Sequence, residues 1–216
     1  AGHSADPPEW FRIEHYADCL AVFLTVLGFR RAHVVGLSFG GMVALSLAGR
    51  RPDVPLSLVL LGAYAGWRGS LAPEETKARL DSCLRLSEAA PEEFVRALTP
   101  SMFSDSVPED ARGAFAGAVR RFSASGFRTM SLASAEADLR DVLPNVRVPT
   151  LLVYGDRDVR APLAIAEALR AGIAGSELVV LPGVGHVSSV EAPNEVSRVL
   201  HGFLRSVEAG ERNLRG

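Results

Sequence analysis

The sequence predicts an α/β fold, with a mostly parallel sheet, helices on both of its faces and an inserted helical lid. Four short apolar runs have the length of strands, helical stretches separate them, and one long segment without a strand-like run interrupts the alternation. Strands that alternate with helices are typical of a parallel sheet covered on both faces. We therefore expect a core made of residues 1–66 and 143–216 and a lid over residues 67–142.

The predicted strands are short runs rich in valine and leucine, as buried parallel strands are. They are AHVVGLS (32–38), LSLVLLGA (56–63), TLLVYG (150–155) and ELVVLPG (177–183). The first predicted helix lies within HYADCLAVFLTVLGF (15–29), where the spacings of three and four join Tyr16, Leu20, Phe23 and Leu27, and Gly28 is placed to end it. Further core helices are predicted over residues 39–52, 161–171 and 193–207.

The predicted lid has three helix starts of the same kind. Each is a proline followed by two acidic residues, beginning at Pro73, Pro91 and Pro108. Proline is favoured early in a helix, and acidic side chains in the first turn suit the helix dipole. The segment is therefore expected to be helical throughout.

Composition and charge exclude several function classes. Hydrophobic residues make up 48% of the 216-residue chain, and the net charge is −2. We therefore expect a folded domain, with neither nucleic acid nor a membrane surface as partner. No apolar run reaches the roughly 18 residues of a membrane span, and no signal peptide opens the chain. These features predict a cytoplasmic protein, and Lys77 as the only lysine beside many arginines indicates a GC-rich bacterial genome.

The cysteines suggest neither a metal site nor a disulfide. Cys19 and Cys83 both fall in apolar helical patterns, so we expect two small buried thiols. No cysteine and histidine spacing is typical of zinc.

Ser38 is the strongest candidate for chemistry. It lies between Gly36 and Gly40 in VVGLSFGG, where a predicted strand runs directly into a predicted helix. One interpretation is a buried turn whose serine caps the helix. The other is a nucleophile on a sharp, strained turn, where side chains at positions 36 and 40 would collide with neighbours and Gly41 lets the helix approach the sheet.

A nucleophilic serine needs a base and an acid that orients the base. The candidate bases are His3, His15, His33, His186 and His201. His186 differs from the others because it follows the fourth strand, at the same sheet edge as Ser38. Asp156 and Asp158 follow the third strand, and their positions alone leave both open as the acid.

Together these motifs resemble the α/β-hydrolase superfamily, in its lid-bearing group of esterases and lactonases. Gly155, Asp158 and Pro162 match one family motif, and His186, Glu191 and Pro193 match another. The ends of the chain resemble the 3-oxoadipate enol-lactonases. The resemblance implies a catalytic triad of Ser38, Asp158 and His186, a small-molecule ester or lactone as substrate, and no metal or organic cofactor.

The resemblance also implies two binding roles and one departure. Phe39 would supply an oxyanion-hole amide, and Trp67 would line an apolar pocket or pack at the lid hinge. In the family, further strands and a loop with the second oxyanion amide precede the segment that matches GHSADPP (2–8). We therefore expect an N-terminally truncated hydrolase. The alternative is a non-catalytic ligand-binding protein or an inactive truncated hydrolase of the same fold.

Overall fold

The computed structural model describes the backbone of residues 4–213 and the side chains of residues 4–210. The strands are β1 (Ala32–Leu37), β2 (Pro55–Leu61), β3 (Thr150–Gly155) and β4 (Glu177–Leu181). The helices are α1 (Ile13–Val26), α2 (Phe39–Arg50), α3 (Trp67–Ser70), α4 (Pro73–Ser87), α5 (Pro91–Leu98), α6 (Glu109–Val119), α7 (Ala124–Glu136), α8 (Leu163–Gly172), α9 (Ser188–Glu191) and α10 (Pro193–Asn213). Two 3₁₀-helices cover Thr99–Ser101 and Leu143–Asn145. Among residues 4–213, no helix is both long and apolar enough to span a bilayer.

The described strands form one parallel sheet in the order β1-β2-β3-β4. In the register, Leu37 pairs with Leu61, and Leu61 pairs with Val153. The carboxyl ends of all these strands therefore meet at one edge, which is where sites form in open α/β sheets. The predicted α/β fold and its four strand positions are confirmed.

Helices cover both faces of the sheet, and β2 and β3 are therefore buried on both sides. Leu60 packs in one apolar cluster with Leu45 of α2, and its neighbour Val59 packs in a second cluster with Phe203 of α10. Successive residues of a strand point to opposite faces, so these two clusters lie on opposite sides of the sheet. The continuous apolar runs of the sequence follow from this two-sided burial.

The first helix forms as predicted, but the face that it buries does not carry its largest apolar residues. Ile13, Ala17 and Ala21 are the buried residues of α1, at a spacing of four. Phe23 is 58% exposed, although it was part of the predicted periodicity. The expectation of a buried thiol at Cys19 is wrong, since Cys19 is exposed on the outer side of the same helix.

The segment between β2 and β3 is helical, with α3 to α7 in succession. Two of its helices begin at the predicted prolines, Pro73 and Pro91, and a third begins at Glu109, directly after Pro108. Ser123 caps α7 by accepting a hydrogen bond from the backbone N–H of Gly126, and α7 packs against α4. That residues 67–142 act as a lid stays a prediction.

Candidate active site

Ser38 occupies a strained turn between β1 and α2. Its φ of 53° makes it the one non-glycine residue with a positive φ in the described chain. Its N–H donates to the carbonyl of Leu61 at 2.8 Å, which fastens the turn to the end of β2. Such backbone strain concentrates at functional sites. The turn places the serine at the carboxyl edge of the sheet and at the N-terminus of α2, where dipoles favour negative charge.

Steric crowding requires glycine at two positions near the serine, but these are not the two positions that the sequence suggested. A Cβ on Gly36 would lie less than 3.0 Å from the carbonyl oxygen of Gly40, and one on Gly41 would meet Ala63 equally closely. A Cβ on Gly40 would meet nothing within 4 Å. The expectation that a side chain at Gly40 would collide is therefore wrong for a methyl group, because the crowded atom at this residue is its carbonyl oxygen.

His186 and Asp158 form a buried pair at the same edge. His186 Nδ1 lies 2.8 Å from Asp158 Oδ2, and the two residues are 3% and 5% exposed. Asp158 Oδ1 accepts hydrogen bonds from the backbone N–H groups of Arg160 and Ala161, each at 2.8 Å. Both carboxylate oxygens are thus occupied, which fixes the carboxylate and, through it, the imidazole ring.

Gly62 lies directly against the Asp158 and His186 side chains. Its φ is +50°, and a Cβ there would lie 3.1 Å from both Asp158 Oδ2 and His186 Nδ1. A residue with a side chain at this position would therefore be strained twice, by its backbone and by the contact. No motif in the sequence pointed to Gly62, which follows β2 directly.

Asp156 lies apart from this pair. Its Oδ1 accepts the N–H of Gly183 at 2.7 Å, which links the turns after β3 and β4. The structure therefore brings Asp158, and not Asp156, to His186.

The other described candidate histidines have different partners. His33 Nδ1 lies 2.8 Å from Ser57 Oγ on the neighbouring strand. His15 Nδ1 accepts the N–H of Arg12 at the start of α1, and His201 is exposed on α10. His3 lies outside the described residues.

Glu191 anchors the loop that carries His186. Its carboxylate accepts the N–H of Gly185 at 2.9 Å, directly before the histidine. It also accepts the N–H of Ser104 at 3.2 Å and the Ser104 hydroxyl. The motif match pointed to Glu191, but no spacing in the sequence pointed to Ser104, which belongs to the segment predicted as the lid.

Ser38 and His186 line one cavity of about 210 Å³. Its other described lining residues are mostly apolar: Leu37, Phe39, Met42, Tyr64, Trp67, Cys83, Leu98, Met102, Phe115, Val119, Phe122, Phe127, Met130, Ser131, Ser134, Arg160 and Val187. No hydrogen bond joins Ser38 to His186 in the described part of the chain, as is common before a substrate tightens such contacts. Trp67 is buried and lines the cavity, and its roles in substrate binding and at a lid hinge stay predictions.

The cavity combines apolar walls with a few polar groups. Burial raises the pKa of the Tyr64 hydroxyl and of the Cys83 thiol, so both are neutral near pH 7. Burial lowers the pKa of the Arg160 guanidinium, which nevertheless keeps its charge. Among residues 4–213, no three histidine, cysteine or acidic side chains are grouped so that they could hold a metal ion.

Comparison with known proteins shows the family to which the chain belongs. The sequence model described as the alpha/beta hydrolase family matches residues 1–199. Over 209 residues the chain is 27% identical to an AB hydrolase superfamily protein, YisY, of Bacillus subtilis, covering 95% of this chain and 78% of that protein. Over 204 residues it is 27% identical to 3-oxoadipate enol-lactonase 2 of Acinetobacter baylyi, covering 94% and 75%.

A solved structure is similar over the same extent. A thermophilic esterase from Thermogutta terrifontis, in its malate-bound form, superimposes with a TM-score of 0.86 at 27% identity. The match covers 95% of this chain and 76% of the esterase chain.

Proposed function

This chain belongs to the alpha/beta hydrolase family, and on that premise we propose that it is a serine hydrolase of carboxylic esters or lactones. Ester hydrolysis as the general activity agrees with relatives named as an esterase and an enol-lactonase. One observation carries the finer proposal of a Ser38, Asp158 and His186 triad. A buried histidine, held by a buried aspartate, lines the same cavity as a strained serine at a helix N-terminus.

The proposed reaction begins with proton transfer from Ser38 to His186. Since His186 Nδ1 faces the Asp158 carboxylate, that nitrogen carries the proton and Nε2 is the base. The Ser38 hydroxyl attacks the ester carbonyl as Nε2 takes its proton, and Asp158 stabilises the imidazolium that forms. His186 then protonates the leaving alkoxide, which leaves an acyl group on Ser38.

Water completes the cycle by the same route. His186 takes a proton from water, the resulting hydroxide equivalent attacks the acyl carbonyl, and the serine leaves with the proton returned. In both halves, negative charge develops on the carbonyl oxygen. The backbone N–H of Phe39, at the first position of α2, is the donor that we assign to this oxyanion.

The walls of the cavity select the substrate. Phe39 and Trp67 offer apolar surface beside Ser38, and a volume of about 210 Å³ suits a small molecule. Apolar walls also exclude water, which strengthens the electrostatic interactions of the triad.

Covalent labelling tests the proposed nucleophile. A fluorophosphonate probe is expected to label the protein and to fail with Ser38→Ala, while the control Ser206→Ala, an exposed serine of α10, labels like the wild type. Equal labelling of the Ser38→Ala protein would remove Ser38 from the role. Turnover of p-nitrophenyl acetate that His186→Ala abolishes would support the enzyme, whereas tight ligand binding without turnover would favour a non-catalytic binding protein.

A further inference from the structure

The cavity beside Ser38 contains one permanent charge. Arg160 is the only lysine or arginine among its described lining residues, and no aspartate or glutamate lines it. None of the ion pairs within the described residues includes Arg160. Among the described residues that line the cavity, the one permanent charge is therefore positive.

Among the described residues, no hydrogen bond or ion pair joins the Arg160 guanidinium to a carboxylate, although Asp158 lies close enough to act on it electrostatically. The Nη1 of Arg160 donates to Ser101 Oγ at 3.1 Å, which uses one of the five N–H donors of a guanidinium. The hydroxyl of Tyr64 and the thiol of Cys83, both neutral, are further polar neighbours of Arg160 and line the cavity. None of these groups carries a negative charge.

The nearby carboxylates are already engaged elsewhere. Asp158 is bonded to His186 and to two backbone amides, and Glu75 pairs with Arg79 at 3.0 Å. Arg79 lies beside Arg160, since its Nη2 donates to the carbonyl of Arg160 at 3.1 Å, and its own charge is paired with Glu75. The guanidinium of Arg160 is thus left without a carboxylate of its own.

A partly buried cation without a counterion is unfavourable, and an incoming anion would relieve the imbalance. We propose that the substrate carries a carboxylate besides its scissile ester or lactone, and that Arg160 binds this carboxylate. The proposal rests on the proposed hydrolase function and adds the class of substrate. A guanidinium suits this task because its planar donors match a carboxylate, in a bidentate geometry where the approach allows it.

Replacing the Arg160 side chain leaves the triad's own contacts in place. The contact to Asp158 uses the backbone N–H of Arg160. The hydroxyl of Tyr64 and the guanidinium of Arg79 donate to its backbone carbonyl. Arg160→Gln therefore removes the charge with the backbone contacts retained, which allows substrate preference to be separated from catalysis.

The test compares esters that differ in one carboxylate. The monomethyl half-esters of succinate, glutarate and adipate are paired with methyl butanoate, pentanoate and hexanoate. We expect the wild type to prefer at least one half-ester. Arg160→Gln is expected to lower kcat/KM for that half-ester by about 10- to 100-fold, the range of a hydrogen bond to a charged group, mainly through KM.

Three comparisons isolate the effect of the charge. For the neutral methyl ester, Arg160→Gln should lose much less kcat/KM than for the half-ester, and a thermal melt shows that the variant folds. Arg160→Lys should recover part of the preference. Arg170→Gln, which removes an exposed arginine of α8, should behave like the wild type with every ester. Equal losses for charged and neutral esters, or no preference for a half-ester in the wild type, would overturn the proposal and leave the hydrolase function standing.

If the wild type hydrolyses none of these esters, that result counts against the proposed function. Binding measurements then test whether Arg160 binds a carboxylate. Isothermal titration with succinate, glutarate and adipate would then compare the wild type with Arg160→Gln. Binding that Arg160→Gln weakens by about tenfold or more supports a carboxylate site at Arg160. Equal binding by both proteins, or none by the wild type, overturns it.

Discussion

His186 Nδ1 lies 2.8 Å from Asp158 Oδ2, and both side chains are almost completely removed from solvent. The carboxylate has no further freedom, since its second oxygen accepts two backbone N–H groups. The imidazole is therefore held in one orientation and one tautomer by the fold itself. Whatever passes a proton at the cavity has to do so through the opposite ring nitrogen.

We expect Asp158→Asn to lower kcat by about 10⁴-fold, as the loss of tautomer control does in a known serine hydrolase. An amide can present its NH₂ group to Nδ1, and the proton then moves to Nε2, where it blocks the base. The measurement is steady-state turnover of p-nitrophenyl acetate together with a thermal melt. Asp156→Asn is the matched control, because Asp156 contacts Gly183 and not His186. Similar kcat values for the two variants would contradict the assignment.

Gly62 offers a test of the positioning of this pair. In Gly62→Ala, the new methyl group would press on Asp158 Oδ2 and His186 Nδ1, each 3.1 Å away, while the φ of +50° disfavours any side chain. We expect a loss of about 1–2 kcal/mol in the free energy of unfolding from the backbone strain. We also expect kcat to fall by at least about tenfold, because small displacements in a site have large effects on rate.

Gly175→Ala separates these two effects. Gly175 has a φ of +75°, and a Cβ there would meet nothing within 4 Å. The Gly175→Ala variant should therefore lose about as much stability as Gly62→Ala but keep the kcat of the wild type. Chemical denaturation and turnover measured on both variants check this, and an equal effect on kcat would show that strain, and not the contact with the pair, is responsible.

Parallel topology explains why so much of the candidate site could be predicted. Ser38, Asp158 and His186 are distant in sequence, but each follows a strand, and the parallel strand ends meet at one edge. Strand-like runs alternating with helices were therefore enough to bring the three residues to the same region. The glycine at position 36 was likewise predictable, because a strand that turns directly into a helix leaves no space there.

Other features depend on turns and contacts that no spacing in the sequence specifies. Asp156 and Asp158 both follow β3, but Asp158 contacts His186, whereas Asp156 accepts the N–H of Gly183. The isolation of Arg160 depends on which carboxylates reach it, and these come from different elements. Phe23 is exposed because α1 turns Ile13 and two small alanines, Ala17 and Ala21, toward the core. Apolar periodicity alone did not predict this inner face.

Glu191→Ala should affect both stability and turnover. The substitution leaves the N–H groups of Gly185 and Ser104 without their acceptor. Since Gly185 is buried, we expect a loss of about 1–3 kcal/mol in the free energy of unfolding. We also expect a lower kcat, because the loop holding His186 loses its anchor. Denaturation curves and turnover are the measurements.

Ser104→Ala serves as the graded control for this anchor. It removes the hydroxyl that donates to Glu191 but keeps both backbone donations. Its effects on unfolding and on kcat should therefore be smaller than those of Glu191→Ala. If Glu191→Ala lowered stability without changing kcat, the anchor would matter for folding and not for the position of His186.

The glycines beside Ser38 give the sharpest contrast. In Gly36→Ala the methyl group would meet the backbone of Gly40 and Gly41, and backbone atoms cannot move aside as a flexible side chain can. In Gly40→Ala the methyl group would meet nothing within 4 Å. We expect Gly36→Ala to lose about 3 kcal/mol or more in the free energy of unfolding. Gly40→Ala should stay within about 1 kcal/mol of the wild type, since alanine favours a helix where glycine does not. Thermal and chemical denaturation of both variants is the check. A stable Gly36→Ala protein would mean that the turn from β1 into α2 can relax, and the strained presentation of Ser38 would then no longer follow from the packing of its neighbours.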